Sequence, residues 1–131
     1  MPIYLPIPAN DSWPTSFTFS PAVRAGNLVF LSGTTATDST GRLIGEGDIV
    51  QQTRQIYRKF EETLNRVGGS IYNIVETTDY ILSLEDYRKT ADVRREVFKG
   101  PPWPAATGVV VNSLVRSGAL IEIKAVAILK D

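Results

Sequence analysis

The chain has no cysteine and no histidine. The first absence removes disulfides, thiolate nucleophiles and sulfur-ligated metals. The second removes a Ser-His-Asp triad, an imidazole base and a His-ligated zinc or iron. Neither sign of charge is in excess. Lys plus Arg and Asp plus Glu are 14 each, so there is no overall basic field for nucleic acid or an anionic membrane surface. No apolar run approaches the roughly 20 residues of a membrane span, and the first residues lack the pattern of a signal peptide. The glycines have no phosphate-loop or G-x-G-x-x-G spacing, and no carboxylate cluster resembles a metal cage. Chemistry is left to carboxylates, Arg, Lys, Tyr, hydroxyls, backbone groups and water. The expectation is a cytoplasmic protein with no cofactor, no metal, no nucleic acid and no membrane partner.

What is present fits one domain. With 131 residues, 43% of them apolar and 21% charged, the chain is long enough for a real core. Residues 1–16 hold four prolines and read as an extended arm without regular structure, reaching a neighbouring subunit or docked as a tail. Residues 17–131 are the domain. Phe17 to Arg24 and Asn27 to Ser32, with Ala25-Gly26-Asn27 between them, read as a β-hairpin. Gly33 after the second strand suggests a tight bend or close backbone approach. Residues 36–47 are a loop. Asp48 is placed to cap a helix over 48–67, in which Ile49, Ile56, Phe60, Leu64 and Val67 form the apolar stripe. Gln52, Arg54, Lys59, Glu62 and Arg66 are assigned to its solvated side.

A strand over 71–83 and a second helix from about Glu85 to Phe98 follow. The apolar side of that helix is Tyr87, Ala91, Val97 and Phe98, with Arg94-Arg95 read as a solvated cluster or, second, as an anion contact at an interface. After the rigid Gly100-Pro101-Pro102-Trp103-Pro104 come a strand over 105–112 and a last strand over 118–131. The order is β-β-α-β-α-β-β, two helices on one sheet. In the last strand, Ala119, Ile121, Ile123, Ala125, Ala127 and Leu129 make one wholly apolar face. The other carries Leu120, Glu122, Lys124, Val126 and Ile128. Two helices cover only one sheet face, so the mixed face with Glu122 is expected to meet other copies of the chain. A carboxylate on a covered face needs a partner, a proton or a task. Glu122 is thus a candidate general base, with a structural ion pair as the alternative.

The runs FSPAVRAGNLVFLSG, DIVQQTRQ, VETTDYILSLEDY and GALIEIKAVA, in this order over residues 17–130, resemble the RidA (YjgF) family of reactive intermediate deaminases. The resemblance implies an α+β, chorismate-mutase-like fold, a mixed sheet and a homotrimer whose sheets form a central barrel, with a small-molecule cleft between subunits. It implies hydrolysis of enamines and imines such as 2-aminoacrylate to a 2-keto acid and ammonia, with a water-positioning Glu at Glu122 and the family's Gly at Gly33. Two positions depart. Phe19 stands where the family has a Tyr. The carboxylate-gripping Arg, within an Arg-Ser/Thr pair, falls on Ala106 of Ala106-Thr107.

A bidentate Arg–carboxylate contact supplies charge and orientation, and its loss from a buried site costs on the order of 2–5 kcal/mol. Weak or absent 2-aminoacrylate activity is therefore expected, unless Arg24, Arg94, Arg95 or Arg116 substitutes. Trp103 is read as a packing anchor or as a wall for a larger, flatter ligand. Thr34, Thr35 and Thr107 are candidate donors to a ligand oxyanion. The first functional expectation is a divergent enzyme acting on an enamine, imine or enol by deamination, hydrolysis or tautomerisation, with Glu122 as base. The second is a non-catalytic metabolite-binding or regulatory homologue.

Overall fold

The computed structural model of the chain describes residues 3–8 and 14–130. Its first strand, β1 (Leu5–Ile7), pairs antiparallel with β2 (Ala22–Ala25). This corrects the reading of an arm without regular structure. Pro6 is tolerated because β1 is the edge strand of the sheet, where a missing N–H interrupts no interior ladder. Residues 1–2 and 9–13 of the arm lie outside the described residues. The hairpin of β2 and β3 (Leu28–Thr34) forms as its alternation requires, and it turns at Gly26, whose φ of 61° suits glycine.

Helix α1 spans Ile49–Asn65, capped by Asp48, whose carboxylate accepts from the N–H groups of Val50 and Gln51. It ends two residues before the expected boundary, where the Gly69 N–H bonds the Leu64 carbonyl and Gly68 takes φ 78°. Ile49, Ile56, Phe60 and Leu64 are buried, as their spacing demands. Gln52 is buried too, against the reading of a solvated side. It lies three residues after Ile49 and four before Ile56, within the stripe, and its amide is fully engaged. Nε2 donates to the carbonyls of Gly45 and Gly118, and Oε1 accepts from the Leu120 N–H.

A short 3₁₀ turn (Ile71–Asn73) leads into β4 (Ile74–Ile81). The single helix expected over 85–98 is interrupted: α2 (Leu84–Tyr87), a 3₁₀ turn (Arg88–Thr90) and α3 (Ala91–Phe98). At the interruption the Thr90 hydroxyl donates back to the Tyr87 carbonyl, an alternative to regular helix geometry. Val93 and Phe98 are the buried apolar positions of α3. Tyr57 of α1 meets Phe98 edge-on at 5.3 Å and Phe60 at 6.1 Å, joining the two helical segments.

Among the described residues, strands β5 (Ala105–Val110) and β6 (Ile121–Ile128) complete a six-stranded mixed sheet in the order β1-β2-β3-β6-β4-β5, in which only β4 and β5 run parallel. The helices lie on one face. Beneath them Ile121, Ile123, Ala125 and Ala127 of β6 pack with Val29, Leu31 and Ile81. Burial of each Leu or Ile side chain there contributes roughly 1.5–3 kcal/mol. Among the described residues, the opposite face has no layer of its own. Leu28, Phe30, Val75 and Ile128 are exposed on the strands, with Leu28 opposite Ile128 and Phe30 opposite Val126.

Candidate functional site

Glu122 follows Ile121 in the central strand, so its side chain stands on the helix-free face, across from Tyr80 of β4. Its carboxylate lies against Gly33, where a Cβ would come within 2.6 Å of Oε2. Gly33 therefore clears the space that the carboxylate occupies. The register between β3 and β6 shifts between Leu31 and Thr34, around that glycine. Burial alone raises the Glu122 pKa above the usual carboxylate value. That is the direction a general base near neutral pH requires.

Behind Gly33 the chain is tied to α1 by Lys59. Its ammonium donates to the Thr34 hydroxyl (2.5 Å), the Thr35 carbonyl (2.8 Å) and the Thr37 hydroxyl (2.8 Å). These bonds use all three of its N–H donors, and Lys59 is half-buried, not on the solvated side assigned to it. Phe19, Gly33, Thr34 and Lys59 line one cavity of about 400 Å³. Thr35 is buried beside it.

Burial pulls the Lys59 ammonium from 10.5 to about 8. Between those values the unfolded chain binds more protons than the folded one, so stability rises with pH across that window. Unfolding in urea from neutral to alkaline pH, wild type beside Lys59→Arg, reads the effect. Arginine keeps its proton throughout. The wild-type minus variant difference is expected to grow as pH rises, and a flat difference counts against the shift.

The remaining candidates sit elsewhere. Trp103, Pro104 and Ala106 line a second cavity, of about 330 Å³, with Thr77, Phe98, Arg94 and Arg95. Ala106 thus faces the helical layer, while Thr107, next in the strand, shares its ladder position with Thr78 on the other face. Of the four candidate replacement arginines, Arg94 and Arg95 are beside Ala106. Arg24 instead bonds the Gly26 carbonyl in the hairpin turn, and Arg116 is exposed in the loop before β6.

Arg94 is not part of a solvated cluster. It lies 3.8 Å from the carboxylate of Asp79, a fully buried residue, donates to the Thr90 hydroxyl and sits 5.1 Å over the Tyr87 ring. The Tyr87 hydroxyl donates to the same Asp79 oxygen at 2.6 Å. Burial raises Asp79 despite these partners, and burial followed by the Asp79 bond pushes Tyr87 to about 12. Asp79, Lys59 and Gln52 were not singled out as buried polar groups by the sequence patterns, although Asp79 alternates with Thr77 and Ile81 on the core-facing side of its strand.

The chain therefore holds two groups of candidate residues. Phe19, Gly33, Thr34 and Glu122 gather around β3 and β6; Trp103 and Ala106 lie beneath α3 at the far edge of the sheet. Among the described residues, no three acidic side chains converge as a metal site would need. No helix among them is long and apolar enough to cross a membrane.

The family model described as Endoribonuclease L-PSP matches residues 11–129. The chain belongs to this family, also called RidA/YjgF. A RutC family protein of Pyrococcus horikoshii is 36% identical over 110 residues, 83% of this chain and 85% of the relative. The 3-aminoacrylate deaminase RutC of Acinetobacter baylyi is 31% identical over 109 residues, 83% of this chain and 85% of that protein. Among solved structures, the Rid family protein YyfA of Yersinia pestis superposes with a TM-score of 0.85 at 29% identity, covering 96% of this chain and 99% of its own. The expected α+β fold, two helical segments on one face of a mixed sheet, is thus the fold of the RidA/YjgF relatives.

Proposed function

We propose that this RidA/YjgF member is a small-molecule enzyme that adds water to an enamine- or imine-type substrate in a cleft shared by two protomers of a homotrimer. The observation that carries the proposal is Glu122. Its carboxylate is half-buried, pressed against Gly33 and raised in pKa, and no hydrogen bond or ion pair reaches it among the described residues. A structural carboxylate in that position would have a cation beside it. The relative named as 3-aminoacrylate deaminase supports chemistry of this kind. The separation of the two candidate groups, and the apolar residues on the uncovered sheet face, support a cleft completed by a second protomer.

In this reading the enamine is first protonated at carbon to its imine tautomer. Glu122 then takes a proton from water as the water oxygen bonds the imine carbon, the carbon–nitrogen π pair moves to nitrogen, and Glu122 returns that proton to the nitrogen. The resulting carbinolamine loses ammonia as its hydroxyl proton passes to the departing nitrogen and its oxygen becomes the carbonyl, so that one imine and one water give one ketone and one ammonia. Gly33 and Thr34 border the place where the oxygen charge develops, and Phe19 and Thr107 provide further contacts. The occupation of the family's Arg position by Ala106 favours one second reading, a metabolite-binding or regulatory homologue without turnover.

The deciding experiment is hydrolysis of imines generated in situ by an amino acid oxidase, from small aliphatic and from aromatic amino acids. Wild type is run beside Glu122→Gln and Ala106→Arg. Turnover by wild type that Glu122→Gln lacks is the expected result, with 2-aminoacrylate a weak substrate that improves in Ala106→Arg. Absence of wild-type turnover on every imine would sink the enzymatic reading in favour of the binding one.

A further inference from the structure

Most of the lining of the cavity beside Gly33 has no part in the reaction proposed above. The cavity measures about 400 Å³, within the range in which proteins hold small ligands, and Glu122 does not line it. Its apolar walls are Phe19, Pro21, Leu31 and Phe60. Lys59 enters from α1, and its ammonium reaches the hydroxyls of Thr34 and Thr37, which border the same space. We propose that Lys59 is a covalent capture site for small neutral aldehydes, which it binds as an imine. This capture is independent of Glu122 as a base.

Two observations lead to Lys59. First, its nitrogen is desolvated without a counter-charge. The three groups it bonds are two hydroxyls and a carbonyl, all uncharged, and among the described residues no carboxylate lies at ion-pair distance. Two carboxylates border the cavity, Asp38 and Glu62. That of Asp38 is occupied, accepting from the Thr40 N–H and hydroxyl and from the Arg42 N–H. Glu62 is exposed on α1, and its charge offsets only part of the effect of burial on Lys59, which rests at about 8. At pH 7 about one Lys59 in ten is then a free amine, against fewer than about one in a thousand for an ordinary lysine. Desolvation of this kind is how a lysine becomes a nucleophile. Second, the free amine still satisfies its partners. Loss of one proton leaves two N–H groups and a lone pair. The Thr35 carbonyl only accepts, but a hydroxyl accepts or donates. The amine keeps the carbonyl and one threonine, and its lone pair turns to the other threonine at the wall of the cavity.

The same hydroxyls serve the chemistry. The lone pair bonds the aldehyde carbon as the carbon–oxygen π pair moves to oxygen, and one nitrogen proton passes to that oxygen through a threonine hydroxyl. This gives a carbinolamine. The nitrogen lone pair then expels its hydroxyl, which leaves as water with a proton from solvent, and the remaining nitrogen proton returns to solvent. One amine and one aldehyde thus give one imine and one water. The lining sets the ligand class. Asp38 and Glu62 repel an anion, while Phe19, Pro21, Leu31 and Phe60 suit an alkyl tail. An aldehyde carbon, with one substituent, reaches a nitrogen held by three partners more easily than a ketone carbon does.

The test is reductive trapping on the wild-type full chain. Butanal, and separately the anionic aldehyde glyoxylate, is added with sodium cyanoborohydride, and alkylation at each lysine is followed over time by peptide mass spectrometry. The other four lysines, Lys89, Lys99, Lys124 and Lys130, are all exposed and serve as internal references. With butanal at pH 7, Lys59 is expected to be alkylated about tenfold or more faster than any of them, the larger gain in free amine being partly offset by its weaker basicity. The lead should shrink towards pH 10 as the ordinary lysines lose their protons, and vanish in urea, where the cavity is gone. With glyoxylate the lead should be lost or much reduced. No lead for Lys59 with butanal in the folded protein would overturn the proposal, as would a lead that survives in urea. An equal lead with both aldehydes would overturn the assignment to a neutral ligand. No turnover is measured, so the result stands apart from the fate of Glu122.

Discussion

Glu122→Gln is expected to lower the turnover number for imine hydrolysis by about 10²–10⁴-fold, the range that a positioned general base contributes. The amide has nearly the shape of the acid, so it still fits the space cleared by Gly33. It lacks the basicity to take a proton from water. Stability should not fall in parallel. The carboxylate is desolvated without a compensating cation among the described residues, and its raised pKa records that penalty. Removing the charge relieves the penalty, so the melting temperature should stay level or rise. Kinetics and thermal unfolding on one preparation separate the two readings of this residue. A variant that loses stability and keeps its rate would show Glu122 to be a structural partner.

Gln52→Leu is expected to cost about 2–4 kcal/mol of unfolding free energy, because it strands three backbone groups at once. The side chain is inaccessible to solvent, and its amide joins the carbonyls of Gly45 and Gly118 to the N–H of Leu120. Leucine matches the volume but accepts and donates nothing. The damage falls at the entry to β6, two residues before Glu122. Urea unfolding should therefore show a lower midpoint at unchanged slope, with some loss of activity in the folded protein. A loss below about 1 kcal/mol would mean that the three groups find other partners.

The contrast between these residues shows what sequence patterns make legible here. Alternation placed Ile121, Ile123, Ala125 and Ala127 in the core because strand geometry leaves two faces and only one can be wholly apolar. Asp48 and Gly68 bounded α1 closely because caps act through neighbouring residues. Gln52 was misplaced for the opposite reason. Its partners are 7, 66 and 68 positions away, and polarity in itself indicates a solvated side unless those partners are known. Lys59 and Asp79 share that difficulty, being polar residues whose burial is made tolerable by groups remote in the chain. The strand in the Pro-rich arm went unread because pairing with β2 overrides what proline content suggests at an edge. The resemblance to the family brought Gly33 and Glu122 together before the geometry did. It left Arg94 as one of four candidate replacements for the missing Arg, and only the geometry put Arg94 and Arg95 beside Ala106.

The position of β6 has a further consequence, for the order in which the molecule is made. It follows all the other described strands in chain order yet stands between β3 and β4, which do not pair with each other. A ribosome releasing this polypeptide delivers the β2–β3 hairpin and the β4–β5 unit as two separate half-sheets. Each presents an open edge until the residues up to Ile128 have emerged. The same strand carries Glu122, so the candidate base arrives with the segment that closes the sheet. Until then the nascent chain has unpaired strand edges of the kind that chaperones shield, and the sheet cannot close before β6 has emerged.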